Sequence, residues 1–392
     1  MGTIGRDCLS FSQSKRQHKL GKFMTEIALT ALAETLPSSV PFVGPETQER
    51  VMGQKFKARL GANESVFGPS PIAIAAMRKA TPEVWKYGDP ENYDLREALA
   101  QHHGIDPSHI IIGEGIDGLL AYLVRLLVEP GEPVVTSAGA YPTFNFHVTG
   151  FGGKLHTVPY VNDHEDPESL IAKATEVSAK IIYFANPDNP MGSWHSADVV
   201  NGLINSLPKS TLLVLDEAYV ELAPAGTAPA LLPETQNVIR MRTFSKAYGM
   251  AGARVGYAIG PKKLISAFDK VRNHFGMSNI SQVGALAALS DQNYFERVLD
   301  NVQKSRKQIA EIAQVNGLKA LHSATNFVTI DCGQDGNFAR ALLQRLIADQ
   351  IFVRMPNISP LDRCIRVSCG DASSMEAFAN ALPKALKAVQ AT

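Results

Sequence analysis

Seven short apolar runs alternate with amphipathic segments of helical length between residues 65 and 275. The runs lie at 109–112, 133–136, 154–158, 180–184, 211–215, 238–241 and 254–259. Segments such as 118–128, 167–177 and 195–207 separate them. Continuous Val, Ile and Leu runs that alternate with helices are typical of a mostly parallel sheet covered on both faces. The pattern therefore predicts an α/β fold with a mostly parallel, seven-stranded sheet.

The pattern changes after residue 275. Residues 276–316 have helical periodicity, and three strand-like runs (327–331, 352–354 and 364–368) alternate with helical segments at 337–349 and 373–388. We therefore predict a large domain over 61–275 and a smaller α+β domain over 276–392. Residues 1–60 are expected to form a flexible leader and an N-terminal arm, which can pack with the smaller domain.

Composition excludes several classes of protein. Hydrophobic residues make up 45% of the 392 residues, which argues against disorder. Lys and Arg together number 38, as do Asp and Glu, so no net field favours nucleic acid or an anionic membrane. No apolar stretch approaches the roughly 20 residues of a membrane helix. We expect neither nucleic-acid nor membrane partners.

The four cysteines, Cys8, Cys332, Cys364 and Cys369, form no Cys-x-x-Cys pair. This spacing predicts reduced thiols and a cytoplasmic location. The adjacent His102 and His103 cannot share one ion on a helix face, and no metal site is predicted. The first 23 residues are basic, with Asp7 as the one acid. They could target an organelle or extend a chain that starts at Met24, but they lack a secretory apolar stretch.

Lys246 carries the central chemical signal. It ends the segment Thr243-Phe244-Ser245-Lys246, directly after the apolar run 238–241, and Arg254 follows closely. An amine in this setting can form an imine with a carbonyl cofactor, while hydroxyls and a guanidinium hold a phosphate tail. The alternative is a surface lysine at a strand–helix junction.

Two polar segments upstream also follow predicted strands. Residues 113–118 read Gly-Glu-Gly-Ile-Asp-Gly and open a helix, whose N-terminal N–H groups can bind phosphate. The alternative is an ordinary glycine-bearing turn. Residues 186–192 contain two Asn-Pro pairs that make a rigid loop, from which the amide of Asn189 can point into a cleft.

An acid lies at the end of the run 211–215. Asp216 begins the block Asp216-Glu217-Ala218-Tyr219. A buried carboxylate is costly without a cationic partner, and a protonated pyridine nitrogen is such a partner. The alternative role is a helix N-cap.

In this order, the segments resemble those of pyridoxal-phosphate aminotransferases with the aspartate-aminotransferase fold. Within that group the chain is most similar to the histidinol-phosphate aminotransferase family, over about residues 42–368. The resemblance also rests on Asn63-Glu64-Ser65, on 67–71 (Phe-Gly-Pro-Ser-Pro) and on 87–90 (Tyr-Gly-Asp-Pro).

The resemblance implies a role for each cofactor-binding residue. Lys246 is the Schiff-base lysine and proton shuttle, and Asp216 pairs with the pyridinium nitrogen of pyridoxal 5′-phosphate. Asn189 and Tyr219 bind the phenolic oxygen, and Phe144 stacks on the ring unless it is a core residue. We also expect nearby Arg254 to disfavour protonation of the free amine. The phosphate ligands are Gly115, the backbone of Ile116 and Asp117, Thr243, Ser245 and Arg254.

Three further residues are implied to face the substrate, and one to face a partner subunit. Arg366 grips the α-carboxylate through a bidentate fork, Arg354 assists with a substrate phosphate, and Asn63 contacts the substrate. Tyr87 reaches a phosphate in the partner subunit of a homodimer with shared active sites.

The implied activity is amino transfer in amino-acid biosynthesis. The small-molecule donor is histidinol phosphate or an aromatic or hydrophobic amino acid, and the acceptor is a 2-oxoacid such as 2-oxoglutarate. A pyridoxal-phosphate decarboxylase or lyase is one alternative, and a cofactor-binding regulator is another. Three departures from the family pattern bear on the substrate: Met191 where threonine is common, Ile116 and Gly118 in the phosphate turn, and Pro41-Phe42 where a tyrosine is frequent.

Overall fold

The computed structural model describes residues 27–38, 43–235 and 237–391. The basic leader, Cys8 and Pro41-Phe42 lie outside the described residues. The described residues from 43 onward form one compact unit, while residues 27–38 belong to a separate unit. The predicted division into two domains near residue 275 stays a prediction.

The strands are short, and the structure places them as follows: β1 (Ala58–Arg59), β2 (Ile110–Gly113), β3 (Pro133–Ser137), β4 (Lys154–Val158), β5 (Ile181–Ala185), β6 (Leu212–Asp216), β7 (Val238–Thr243), β8 (Gly256–Ile259), β9 (Lys319–Ala320), β10 (Phe327–Asp331), β11 (Ile351–Phe352) and β12 (Cys364–Ser368).

The helices lie between and around these strands: α1 (Ala31–Thr35), α2 (Pro45–Met52), α3 (Pro71–Ala80), α4 (Tyr93–His103), α5 (Gly115–Leu127), α6 (Pro142–Gly150), α7 (Pro167–Val177), α8 (Ala197–Asn205), α9 (Lys262–Ala267), α10 (Asn279–Ser290), α11 (Gln292–Val315), α12 (Gly336–Ala348) and α13 (Ala372–Gln390).

The main sheet has seven strands in the order β2-β8-β7-β6-β5-β3-β4. Strands β4, β3, β5, β6 and β7 pair in parallel, and β8 runs antiparallel to both of its neighbours. The predicted α/β fold with a mostly parallel, seven-stranded sheet is therefore confirmed. Each of the seven predicted apolar runs overlaps one of these strands.

Strands β5 and β6 show why these runs carry no polar alternation. All five residues of β5 are buried. Tyr183 packs in one apolar cluster with Leu120 of α5, whereas Phe184 packs in another with Val200 of α8. Successive side chains thus enter cores on opposite faces of the sheet, so both must be apolar.

A second layer contains an antiparallel sheet of order β12-β10-β9 and a two-stranded sheet of β1 and β11. Helices α11, α12 and α13 supply its core. The single helical region predicted at 276–316 is in fact two helices. Asp291 separates them with a non-helical backbone, and its carboxylate accepts a hydrogen bond from the backbone N–H of Tyr294.

Cys332, Cys364 and Cys369 are buried free thiols. None of the helices in the described ranges is long and apolar enough to cross a membrane. In the same ranges, no group of three or more His, Cys, Asp and Glu side chains could hold a metal ion.

Candidate active site

The polar segments predicted from the sequence follow the carboxyl ends of neighbouring strands. Asp216 is the last residue of β6, Lys246 follows β7, and the loop with Asn189 follows β5. These three strands are adjacent and parallel. Their carboxyl ends therefore lie at one edge of the sheet, where ligands bind in open α/β folds.

The amine of Lys246 lies inside this edge. Its Nζ donates a hydrogen bond of 3.1 Å to the backbone carbonyl of Asn63 and lies 5.5 Å from the ring centroid of Tyr219. Burial and, second to it, the positive charge of Arg366 lower the pKa of Lys246 to about 8. A lysine with a pKa near 8 has a useful fraction of neutral, nucleophilic amine.

The expected effect of Arg254 on Lys246 is present, but it is not the main one. Arg254 contributes to lowering the pKa of Lys246, after burial and Arg366, while Asp117 opposes it. Arg366 therefore lowers the pKa of Lys246 more than Arg254 does.

Asp216 is a buried acid with two hydrogen-bond donors. It is 6% exposed; the hydroxyl of Tyr183 donates to Oδ2, and the backbone N–H of Ala218 donates to Oδ1 at 2.9 Å. Burial nevertheless raises the pKa of Asp216 to about 6. The carboxylate thus lacks enough compensation from the protein alone, and a cationic ring nitrogen would supply the missing partner.

Tyr219 and Asn63 form a hydrogen-bonded pair beside the lysine. The side-chain amide of Asn63 donates to the Tyr219 hydroxyl at 3.1 Å. Both residues are nearly inaccessible, with exposures of 4% for Tyr219 and 3% for Asn63. Burial raises the pKa of Tyr219 to about 12, so the hydroxyl keeps its proton at neutral pH.

Asn189 lies against Arg366. One N–H of the Arg366 guanidinium donates to Oδ1 of Asn189, and another donates to the carbonyl of Gly61 at 3.2 Å. Because its oxygen is occupied by Arg366, Asn189 has its Nδ2 available as a donor. Arg366 also lies over the ring of Phe327, at 5.2 Å from the centroid.

Arg354 lies directly across from Arg366. Their backbones form an antiparallel bridge with N–H to carbonyl distances of 3.1 and 2.6 Å. Residues paired in this way carry their side chains on one face. The Arg354 guanidinium donates to the carbonyl of Val43 and lies 5.7 Å from the centroid of Phe352.

The predicted phosphate ligands form a cradle at the start of β8 and α5. Thr243 Oγ1 lies 2.9 Å from Ser245 Oγ, which in turn accepts a hydrogen bond from Arg254 at 3.4 Å. Arg254 Nη2 lies 3.6 Å from a carboxylate oxygen of Asp117. The cradle thus combines a guanidinium and two hydroxyls with the N-terminus of a 13-residue helix.

Gly115 lets this cradle close. It has a φ of +83°, and a Cβ atom at this position would lie 2.4 Å from Nη2 of Arg254. Only glycine adopts this backbone readily and leaves room for the guanidinium. The space at Gly115 is therefore what lets the Arg254 guanidinium lie against the start of α5.

The geometry does not favour the stacking role predicted for Phe144. Phe144 is fully buried, and its ring stacks on Tyr183 with centroids 4.5 Å apart. Tyr141 precedes helix α6, is half-buried, and donates a hydrogen bond of 2.8 Å to Asp117. Tyr141 therefore presents an aromatic ring beside the cradle, whereas Phe144 fills the core behind it.

Tyr87, the residue predicted to reach a partner subunit, is exposed. It is 81% exposed, and its ring contacts Phe275 with centroids 4.8 Å apart. Other exposed apolar and aromatic side chains occur in the same segments: Val84, Trp85 and Tyr93.

Sequence reasoning missed four polar or aromatic residues at the site: Tyr141, Tyr183, Asn326 and Ser368. Tyr183 lies in an apolar run, so the sequence pattern did not identify its hydroxyl as a group of the site. Asn326 and Ser368 contact Asn63 across more than 260 residues of chain. For Ser368 the sequence does carry one indication of a place at the site. It lies two residues after Arg366, so both side chains lie on the same face of β12.

A lysine of lowered pKa, a buried acid and an anion cradle together define an enzyme site for a phosphorylated carbonyl cofactor. The family model for aminotransferase class I and II matches residues 56–382. The chain therefore belongs to the class I and II aminotransferase family. The predicted family, the predicted transaminase activity and the predicted cofactor are confirmed: the chain is an aminotransferase of a family that depends on pyridoxal 5′-phosphate.

Individual relatives agree with this assignment. A histidinol-phosphate aminotransferase of Rhodospirillum centenum is 34% identical over 350 residues, which cover 88% of this chain and 96% of the relative. The crystal structure of histidinol-phosphate aminotransferase from Sinorhizobium meliloti in complex with pyridoxal-5′-phosphate is 52% identical, with a TM-score of 0.91, and the match covers 94% of this chain and all of that one. A double mutant of Thermus thermophilus aspartate aminotransferase shares the fold. It is 24% identical with a TM-score of 0.75, and the match covers 91% of this chain and 100% of that one.

Proposed function

We propose that this enzyme transfers the amino group of histidinol phosphate to 2-oxoglutarate. The observation that carries the proposal is the pair Arg354 and Arg366, whose backbones are bridged at the substrate end of the site. The relatives from Rhodospirillum centenum and Sinorhizobium meliloti, which are 34% and 52% identical to this chain, are named histidinol-phosphate aminotransferases. Their names support the same donor.

The two guanidiniums are suited to a doubly charged anion. Burial and, second to it, the nearby charge of Arg366 lower the pKa of Arg354 to about 10. Within the described residues, the buried Nε of Arg366 has no hydrogen-bond partner. A phosphate dianion would relieve the repulsion between the two cations and accept from both forks.

The chemistry of the two substrates fits one anion site. In histidinol phosphate, Cα carries a CH2–O–phosphate group in the place of the α-carboxylate of an amino acid. The phosphate can therefore use both Arg354 and Arg366, while the α-carboxylate of 2-oxoglutarate needs Arg366 alone. A single pair of arginines can thus serve both halves of the reaction.

The residues of the cradle would hold the cofactor's phosphate: Gly115, Ile116, Asp117, Thr243, Ser245 and Arg254. Asp216 would pair with the ring nitrogen, and Asn189 and Tyr219 would bind the phenolic oxygen. Tyr141 would lie against the ring, in place of Phe144. When bound, pyridoxal 5′-phosphate supplies an aldehyde that takes up the amino group and a ring that accepts electrons.

Lys246 performs the proton transfer. Its amine, with a pKa near 8, can take the proton from Cα of the donor and return one to the cofactor-side carbon. The carbonyl of Asn63 accepts a hydrogen bond from the free amine and so holds it beside the reaction centre. Asp216 stays ionised once it has its cationic partner, which keeps the ring nitrogen protonated.

A homodimer is part of the proposal. Tyr87 and Trp85 are 81% and 76% exposed, and Phe275 beside Tyr87 is 54% exposed. Exposed aromatic side chains in one place are typical of a protein interface. The Tyr87 hydroxyl would then reach the cofactor phosphate of the partner subunit. Sedimentation tests this, and a fully active monomer would contradict it.

A panel of amino donors tests the substrate assignment. The visible absorbance of the purified, cofactor-loaded enzyme is recorded after addition of histidinol phosphate, histidinol, phenylalanine or glutamate. We expect histidinol phosphate to bleach the band at micromolar concentration, and histidinol, which lacks the phosphate, to require far more. Strong bleaching by phenylalanine with none by histidinol phosphate would overturn the proposal.

A further inference from the structure

Asn63 connects more of the active site than any role in substrate contact requires. Its side-chain amide donates to the Tyr219 hydroxyl at 3.1 Å, and its backbone carbonyl accepts a hydrogen bond from Lys246 Nζ at 3.1 Å. Its backbone has a φ of +55°, which is uncommon for a residue other than glycine. A strained, buried asparagine that contacts two reacting groups is placed for positioning.

The direction of the hydrogen bonds around Asn63 can be deduced from its backbone. The backbone N–H of Asn63 donates to Ser368 Oγ at 3.0 Å, so this oxygen acts there as an acceptor. The Ser368 hydroxyl then uses its own hydrogen toward Oδ1 of Asn63, at 3.1 Å. With Oδ1 occupied, Nδ2 is the end of the amide that faces Tyr219.

The consequence falls on Tyr219. Its oxygen accepts the hydrogen bond from Asn63, so its single hydrogen must point elsewhere. Burial keeps this proton on the hydroxyl, since it raises the pKa of Tyr219 to about 12. The hydroxyl is therefore a donor of fixed direction in the cleft beside Lys246.

A second contact fixes the asparagine backbone. The amide of Asn326 donates to the carbonyl of Asn63 at 3.0 Å. Asn326 and Ser368 are 1% and 2% exposed, so both anchors are held in the core. The strand that carries Arg366 thus also fixes Asn63 through Ser368.

We propose that Asn63 is a positioning residue for amino transfer, which orients the Tyr219 hydroxyl so that it donates to the phenolic oxygen of the cofactor. The inference rests on the proposed position of the cofactor but not on the identity of the amino donor. It replaces the predicted contact between Asn63 and the substrate.

The effect is measurable in the absorbance of the bound cofactor. A hydrogen-bond donor to the phenolic oxygen stabilises the negative charge on that oxygen. The effect is largest when the nearby nitrogen, which links the cofactor to Lys246, has lost its proton. Loss of this donor therefore raises the pH midpoint of the visible absorbance change. A hydrogen bond of ordinary strength corresponds to a shift of about half a pH unit to one unit.

A double-mutant cycle tests the proposal. The midpoint is measured for the cofactor-loaded wild type, Asn63→Gly, Tyr219→Phe and the double variant. Glycine is chosen because it tolerates the positive φ. We expect both single variants to raise the midpoint, and the double variant to match Tyr219→Phe. An unchanged midpoint in Asn63→Gly, or shifts that add in the double variant, would overturn the proposal.

Two controls make the result specific. Asn162→Gly has the same substitution at a φ of +50° in an exposed turn, and it should leave the midpoint unchanged. If Asn63→Gly does not fold, Ser368→Ala takes its place in the cycle. The proposal is supported if Ser368→Ala raises the pH midpoint in the wild-type background but not in the Tyr219→Phe background. It is contradicted if Ser368→Ala leaves the midpoint unchanged in the wild-type background. If Tyr219→Phe alone has no effect, the proposed cofactor position is wrong, which is a different failure.

Discussion

The hydroxyl of Tyr183 donates a hydrogen bond to Oδ2 of Asp216 in the interior of the sheet. The two residues lie on neighbouring parallel strands, β5 and β6, and Phe144 stacks on the tyrosine ring. The acid is thus held in place by a side chain that the core itself fixes. This arrangement keeps the carboxylate aimed at the ligand edge of the sheet.

Tyr183→Phe should make Asp216 harder to ionise while leaving its carboxyl group in place. The hydrogen bond from Tyr183 lowers the pKa of Asp216, so its loss raises that pKa further above its usual value. A smaller fraction is then ionised at a given pH, and the acid limb of the kcat/KM profile moves to higher pH. We expect a loss of about tenfold in kcat/KM at neutral pH.

Tyr257→Phe is the matched control for this substitution. Tyr257 is also buried, but its hydroxyl lies 3.0 Å from His103 Nε2 instead of against Asp216. Its removal should cost stability but leave the pH profile in place. Equal profiles for Tyr183→Phe and wild type would show that Tyr183 does not act through Asp216.

Gly115→Ala should weaken cofactor binding by displacing Arg254. The added Cβ would lie 2.4 Å from Nη2 of the arginine. Gly131→Ala is a close match, because its φ of +88° is similar and no atom lies within 4 Å of the added carbon. Both variants should lose about 1 kcal/mol of unfolding free energy. Only Gly115→Ala should raise the Kd for pyridoxal 5′-phosphate, measured by titration of the apoenzyme; equal Kd values would argue against the cradle.

Arg354→Gln should change the KM values of the two proposed substrates by different amounts. We expect the KM for histidinol phosphate to rise by about tenfold to a hundredfold, since a charge-assisted hydrogen bond is lost. The KM for 2-oxoglutarate should change much less, because the proposed partner of its α-carboxylate is Arg366. Arg340→Gln, at an exposed arginine near Asp362, controls for loss of surface charge. A uniform rise in both KM values would remove Arg354 from the phosphate site.

The sequence predicted the sheet and the acid–lysine pair because both depend on local pattern. Buried parallel strands are continuous apolar runs, and Asp216 and Lys246 follow two of them directly. The ring-facing aromatic could not be chosen in this way. Whether Tyr141 or Phe144 faces the ligand depends on where α6 begins, and Pro142 sets that start at its first position.

Long-range contacts explain the remaining differences. Asn63 reaches Tyr219, Lys246 and Ser368 across 156 to 305 residues of chain, and no spacing rule relates such positions. The break between α10 and α11 depends on the backbone at Asp291, which a helical periodicity conceals. The dimer contact of Tyr87 stays a prediction, because it requires a second copy of the chain.

Lys246→Ala should abolish turnover and leave the fold intact. Within the part of the chain that the structure describes, the amine donates a hydrogen bond to the backbone carbonyl of Asn63, and its removal costs little packing. We expect kcat to fall by a factor of about 10⁴ or more, because both the covalent attachment and the proton transfer are lost. Far-UV circular dichroism should match wild type, and Lys262→Ala, at an exposed lysine, should keep full activity. A variant that still turned over at a wild-type rate would refute the assignment.

The attachment of the cofactor to Lys246 is the claim on which the account depends most. Purified enzyme loaded with pyridoxal 5′-phosphate is reduced with borohydride, which fixes the cofactor to its lysine, and is then digested and analysed by mass spectrometry. We expect one modified peptide, with the phosphopyridoxyl mass on Lys246. Modification of a different lysine, or of none, would contradict it.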